Sequence, residues 1–188
     1  QGGDWQAALD SLQARFEALI IDADPTLPEY ERHALLQAAR DQVQVLADYA
    51  KGIALLQHCP DPVQARMLGT GEQFSVALMT ASLKARGLDA GALDATRLVK
   101  SQGDYLNASA DIPSTIAAFT ERKAQGLPRI SVMAGFVSGL PHGETALLGR
   151  NGSDYSAAII AAGCKADVCE IWTDVDGVLS ADPRLVPD

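Results

Sequence analysis

Thr145-Ala146-Leu147-Leu148-Gly149-Arg150-Asn151-Gly152-Ser153-Asp154-Tyr155-Ser156-Ala157-Ala158-Ile159-Ile160-Ala161-Ala162 reads as a short strand, a glycine-hinged turn and a helix over 153–162. Gly149 and Gly152 let the backbone turn sharply and come close to a ligand, because no Cβ stands in the way. Ser153 is expected to cap the helix. N–H groups at a helix start attract anions, and the Arg150 guanidinium beside them adds a two-pronged donor. Asp154 sets a carboxylate next to that anion site. Together these groups predict a group-transfer site. The competing reading of the same spacing is a capped helix with a surface Arg150–Asp154 pair.

On either side of this stretch, strands and helices alternate. Ala92-Leu93-Asp94-Ala95 reads as a short strand, 112–125 as a helix with Ile116 and Phe119 facing in, 130–137 as one apolar strand and 139–143 as a turn. Residues 168–173 read as a further strand, followed by an irregular acidic loop. This alternation predicts an α/β region over 88–188 with a largely parallel sheet. In such sheets ligands gather at the carboxyl ends of the strands, and glycine loops fall there after Val137 and after Thr173.

The first 87 residues are mainly helical in their pattern. Trp5, Leu9, Leu12, Phe16 and Leu19 recur at steps of three and four, which is one helical face. Asp24-Pro25 through Pro28 break it. A second stripe runs through Leu35, Ala39, Val43, Leu46, Ala50, Ile53 and Leu56 and ends by Cys59-Pro60. A third helix, with Asp61 as its cap and Pro62 in its first position, carries Met67, Leu68, Phe74, Leu78 and Leu83 and stops at Gly87. Amphipathic helices of this kind are expected to pair as a hairpin.

Bulk properties narrow the function. A chain of 188 residues with 47% hydrophobic content is enough for one domain with a sizeable core. A formal charge of −9 disfavours nonspecific binding to nucleic acid and to anionic membranes. No apolar run approaches bilayer-spanning length, and Gln1-Gly2-Gly3-Asp4 lacks signal-peptide character. Cys59, Cys164 and Cys169 form no C-x-x-C pair and read as buried free thiols in a reducing cytoplasm. His33, His58 and His142 show no metal-ligand spacing. Asn107-Ala108-Ser109 and Asn151-Gly152-Ser153 match the glycosylation pattern by chance. A start without Met and an end straight after a loop lead us to expect a piece of a longer protein.

Two further stretches carry chemistry. In Glu170-Ile171-Trp172-Thr173-Asp174-Val175-Asp176-Gly177-Val178 a strand ends in polar groups, and Thr173 and Asp174 are placed to grip a sugar or a base. A calcium loop is excluded there, because setting Gly177 at the loop glycine puts Trp172 in the first ligand position and Pro183 in the last. Arg184, in Asp182-Pro183-Arg184, is placed to reach a phosphate. Gly69-Thr70-Gly71-Glu72 interrupts a helical pattern with two glycines, at a cost to the helix. That predicts either a backbone approached by a ligand, with Glu72 beside it, or a tight helix–helix contact with Glu72 in solvent.

Taken in order, Gly135-Phe136-Val137, Leu148 to Asp154, Trp172 to Val178 and Asp182-Pro183-Arg184 resemble the aspartokinases of the amino acid kinase family. The Gly71-Glu72 helix fits the same resemblance, which covers nearly the whole chain and is sharpest from Ile130 onward. It implies a three-layer αβα fold with a largely parallel central sheet, preceded by a helical region. It implies MgATP-dependent phosphorylation of the side-chain carboxylate of L-aspartate, the first step towards lysine, threonine and methionine, in the cytoplasm and in a homo-oligomer. Arg150 would hold the α-carboxylate of aspartate and Glu72 its α-ammonium. Phe136, Gly149, Asn151, Gly152 and Ser153 would line the substrate, and Asp154 would organise the catalytic centre. Thr173, Asp174 and Leu179 would contact the nucleotide and Arg184 its phosphates. No resident metal is implied beyond the Mg2+ carried with ATP.

The sequence departs from the family pattern at three places. Leu179 stands where an aromatic residue is usual, and Asn151 where Gly is common. The amino-terminal Lys-Phe-Gly-Gly-Thr-Ser stretch, the rest of the nucleotide lobe and the regulatory ACT domains are absent from these residues. Two alternatives stand beside the aspartate kinase reading: a noncatalytic folding or association module, and a kinase for another small carboxylate.

Overall fold

Asp4 accepts a hydrogen bond from Ala7 N and so caps the first helix, α1 (Trp5–Ala23). The computed structural model that shows this describes residues 4–172. The proline-bounded helices α2 (Glu29–Leu56) and α3 (Asp61–Ala85) come next. Asp61 does not cap α3 as expected. Pro60 precedes the helix, Asp61 lies in its first turn, and its side chain makes no cap bond. At the far end Gly87 takes φ +76°, with its N–H on Lys84 O and the Leu88 N–H on Leu83 O, the stop expected there.

α1 and α2 pack as a hairpin on α3. Their predicted stripes supply one cluster: Phe16, Leu35, Ala39 and Val43 pack with Phe74 of α3. The Phe16 and Phe74 rings stack at 4.0 Å between centroids and 8° between planes. The far end of the α2 stripe does not follow, because Leu56 is 68% exposed. Polar groups lock the α1–α2 corner. Asp24 is buried and accepts from Thr26 N (2.9 Å), Thr26 Oγ1 (2.6 Å) and Arg86 Nε (2.8 Å). The Thr26 donors and the Arg86 guanidinium hold its pKa down at about 2. Arg32 donates to the carbonyls of Ile20, Ile21 and Asp24, placing a cation on the negative end of α1.

The second half is α/β. Strand β1 (Ala90–Leu93) pairs in parallel with β4 (Ile130–Met133), with Leu93 opposite Met133. Between them run α4 (Ala95–Leu98), the antiparallel strands β2 (Ser101–Gly103) and β3 (Ala108–Ala110), and α5 (Ile112–Ala124). After β4 come the antiparallel strands β5 (Val137–Gly139) and β6 (Thr145–Leu147), then α6 (Gly152–Cys164). A parallel bridge from Lys100 to Gly139 joins β5 to the stretch after α4. Behind it the Ser138 hydroxyl donates to Ser101 Oγ (2.8 Å), with both residues buried.

Apolar side chains of this half form a small cluster at Ala108, Leu140 and Ala146 and two larger ones. One joins Ala65 and Val76 of α3 to Ala134, Val137 and Leu147. The other joins Phe119 of α5 and Ile160 of α6 to Leu93, Val99 and Leu148. Met133 touches both, so the strands lie between helical layers. α5 begins on Asp111, which accepts from Ser114 N. Ile116 does not face fully in; at 36% exposed it rides on the α6 surface at Gly163.

Three further expectations are corrected. The run 130–137 is two strands, because the chain bends at Gly135-Phe136. Residues 168–172 form no strand: no described strand pairs with them, and Val168, Ile171 and Trp172 are exposed, Trp172 at 90%. Cys164 and Cys169 are exposed and Cys59 is half-buried, so the free thiols are not core residues.

Candidate active site

The parallel strands β1 and β4 end side by side, and each runs into a turn. After β1, Asp94 accepts from Thr96 N (2.9 Å) and Oγ1 (2.6 Å). After β4, Phe136 takes φ +47°, a left-handed value that side chains rarely adopt. The Val137 N–H folds back onto Gly135 O at 2.6 Å, and the Leu148 N–H donates to Phe136 O at 2.8 Å. A cavity of ≈ 460 Å³ opens at these strand ends, lined by Gln73, Val76, Asp94, Thr96, Val137 and Thr145. That is where an open α/β sheet takes its ligands. None of the site residues singled out from sequence lines this cavity; Glu72 and Phe136 are the chain neighbours of the lining residues Gln73 and Val137.

The 149–153 turn is built by backbone geometry. Gly149 takes φ +74°, and the Gly152 N–H donates to its carbonyl at 3.2 Å. Asn151, not Ser153, stands at the cap position of α6. It has φ +57°, a left-handed conformation that Asn tolerates, and its side chain makes no cap bond. Its carbonyl accepts from Tyr155 N at 3.0 Å. Ser153 is the second residue of the helix. It packs against Gly135: a Cβ on Gly135 would lie 2.8 Å from Ser153 Oγ and 3.2 Å from its Cα.

Gly152 makes the reciprocal contact. A Cβ there would lie 2.7 Å from Phe136 Cβ and 3.2 Å from Leu148 Cβ. Phe136 makes a close approach to this glycine. At Gly149 the neighbour is Asn107. The structure thus brings Phe136, Gly152 and Ser153 into direct contact beside Gly149. Arg150, Asn151 and Asp154 lie exposed on the outer side of the same turn. Among the described residues the surface pair between Arg150 and Asp154 that the competing reading requires is not formed; the ion pairs lie at Arg40–Glu17, Lys51–Asp48, Arg86–Asp24 and Arg97–Asp94.

Glu72 is half-buried on α3. Its helix packs on β1, β4 and β6: Gly69 is buried, and a Cβ there would stand in ordinary contact, 3.5 Å, with Val137 Cγ2 at the start of β5. The Gly69 contact is thus helix on strand rather than helix on helix, while Gly71 faces open space. Ala65 and Val76 share a cluster with Phe136, so the stretch bearing Glu72 and the turn bearing Phe136 are parts of one packed unit. Thr173, Asp174, Leu179 and Arg184 lie outside the described residues. Among the described residues no three His, Cys, Asp or Glu side chains cluster as metal ligands, and no helix is long and apolar enough to cross a membrane.

Sequence reading missed Asn107 and the weight carried by Gly135. A glycine directly before an aromatic residue at a strand end was the available signal for Gly135. For Asn107, in a turn between two short polar strands, the local sequence offered none.

A match to the amino acid kinase family covers residues 7–188. The bifunctional aspartokinase/homoserine dehydrogenase of Haemophilus influenzae is 41% identical over 155 residues, which are 82% of this chain and 18% of that protein. The aspartate kinase of Pseudomonas putida is 35% identical over 159 residues, 81% of this chain and 36% of that protein. Among solved structures, E. coli aspartokinase III in complex with aspartate and ADP (R-state) superposes with a TM-score of 0.83 at 24% identity. That match covers 98% of this chain and 40% of the other, and shows a shared fold. The chain therefore spans 18% and 36% of the length of these two relatives.

Proposed function

Because the chain belongs to the amino acid kinase family, we propose that it forms the central part of an aspartate kinase, with residues 1–87 as a helical region and 88–188 as the α/β region carrying the substrate and nucleotide motifs. The observation that carries this reading is the interlocked turn: Gly135-Phe136 seated on Gly152-Ser153, with Arg150 and Asp154 projecting from it unpaired with each other. The aspartokinase names borne by relatives at 41% and 35% identity support the choice of substrate.

In this reading Arg150 holds the α-carboxylate of L-aspartate through two parallel N–H donors, and Glu72 takes its α-ammonium. Phe136 and the backbone from Gly149 through Asn151 to Ser153 shape the pocket. Thr173, Asp174 and Leu179 contact ATP, and Arg184 its phosphates. Mg2+ arrives as part of the nucleotide substrate. A side-chain carboxylate oxygen of aspartate attacks the γ-phosphorus, the bond from that phosphorus to the β,γ-bridging oxygen breaks, and 4-phospho-L-aspartate and ADP leave. The acceptor is already ionised at neutral pH, so no strong base is needed. The protein supplies alignment and charge neutralisation, and Asp154 organises the centre. The parent protein works in the cytoplasm as a homo-oligomer.

The test is made on the intact parent protein. Aspartate and MgATP should yield ADP together with an acyl phosphate that hydroxylamine traps as the hydroxamate. Glutamate and acetylglutamate serve as competing acceptors. Preference for either of them, or no acyl phosphate from aspartate, overturns the assignment.

A further inference from the structure

The turn between β2 and β3 holds residues that the mechanism above leaves unused. The Tyr105 carbonyl accepts from Leu147 N at 2.8 Å, and Tyr105 packs with the clusters around Leu147 and Ala146. This fixes the 105–107 stretch across the end of β6. Two residues on, Asn107 meets Gly149: a Cβ on Gly149 would overlap Asn107 Oδ1 and lie 3.3 Å from its Cγ and 3.8 Å from its Cα. The hydrogen that glycine carries in the Cβ direction therefore points at the amide oxygen, in a weak C–H···O contact of the kind that recurs where backbones pass closely.

The position matters because Arg150 is the next residue. Gly149, at φ +74°, occupies a region that glycine enters and leaves freely. Arg150 is exposed, and among the described residues it has no acidic partner within ion-pair distance. Because Arg150 follows Gly149 directly, the conformation of Gly149 sets the point from which the Arg150 side chain starts. Phe136 fixes one end of the turn at Gly152, and Asn107 fixes the other at Gly149.

We propose that Asn107 is a positioning residue for acceptor recognition, acting through Gly149 on Arg150. The identity of the acceptor rests on the aspartate kinase reading; the contact itself does not. Two measurements on the intact parent protein test it. In Asn107→Ala, amide hydrogen exchange at 149–151 accelerates, while Asn107→Asp, which keeps an oxygen over Gly149, restores the wild-type rates. In steady-state kinetics Asn107→Ala raises the aspartate KM about three- to tenfold, with the ATP KM, kcat and melting temperature held. Unchanged exchange in Asn107→Ala overturns the proposal. So does an unchanged aspartate KM in an enzyme that turns aspartate over, or a parallel rise of both KM values with a lower melting temperature, which marks general loosening. Should the wild-type protein fail to phosphorylate aspartate, the substrate assignment falls, and the exchange comparison still decides whether Asn107 holds the turn.

Discussion

Gly152 and Phe136 meet with no room for a single added carbon: a Cβ on Gly152 would stand 2.7 Å from Phe136 Cβ and 3.1 Å from its Cα. Phe136 is already in a left-handed conformation, so it has little freedom to withdraw. Gly152→Ala therefore forces the helix start and the strand-end turn apart. The expected cost is about 1–3 kcal/mol of stability, the range for overpacking a tight site. A urea midpoint on the intact protein that stays within error of wild type would show that the turn yields.

Arg150 is read as a carboxylate clamp, which distinguishes a planar fork from a point charge. Arg150→Lys keeps the charge and loses the paired geometry. Losing one charge-assisted hydrogen bond costs about 1.5–3 kcal/mol, so the aspartate KM should rise roughly ten- to a hundredfold while the ATP KM holds. Equal loss for both substrates in initial-rate kinetics would remove Arg150 from the acceptor site.

Asp154 sits in the first turn of α6 with its side chain exposed, and nothing in the core depends on it. Asp154→Ala should leave the folded state within about 0.5 kcal/mol, as for an ordinary surface change. Aspartyl-phosphate formation should collapse in the same protein. An Asp154→Ala variant with undiminished kcat takes this carboxylate out of the catalytic centre.

Asp24 gives a prediction about pH. Its folded pKa, about 2, lies below the ordinary 3.8 because Thr26 and Arg86 favour the charged form. A depressed carboxyl pKa contributes stability that is present above the ordinary value and is lost as pH falls through the folded one. The stability gap between wild type and Asp24→Asn should therefore be constant from neutrality down to about pH 5 and shrink progressively towards pH 2. A gap that widens on acidification reverses the sign and refutes the account.

The helical half was legible because Phe16, Leu35, Ala39, Val43 and Phe74 recur at helical spacing, and burial tracks that spacing directly. The existence of the strand–turn–helix at 145–164 was equally plain. Its joints were not. Whether Ser153 or Asn151 stands at the cap depends on a left-handed backbone that Ser153 cannot signal. The split of 130–137 into two strands depends on the left-handed turn at Phe136, and Gly135 beside it packs on Ser153, eighteen positions away. The strand expected at 168–173 does not form over the described residues 168–172, because a strand needs a neighbour, and apolar composition does not say where that neighbour is. Thr173, Asp174 and Arg184 are read from the residues as contacts to a sugar, a base or a phosphate, and Leu179 from the family resemblance; all four lie outside the described residues.

The reciprocal fit of Gly135 on Ser153 and Gly152 on Phe136 ties two stretches of chain into a single evolutionary unit. A lineage that acquires a side chain at position 135 should shed bulk at 153 or abandon the bend, and the two positions should drift together, not as independent letters. Natural variation at those four sites thus becomes a record of the same steric constraint that mutagenesis would measure.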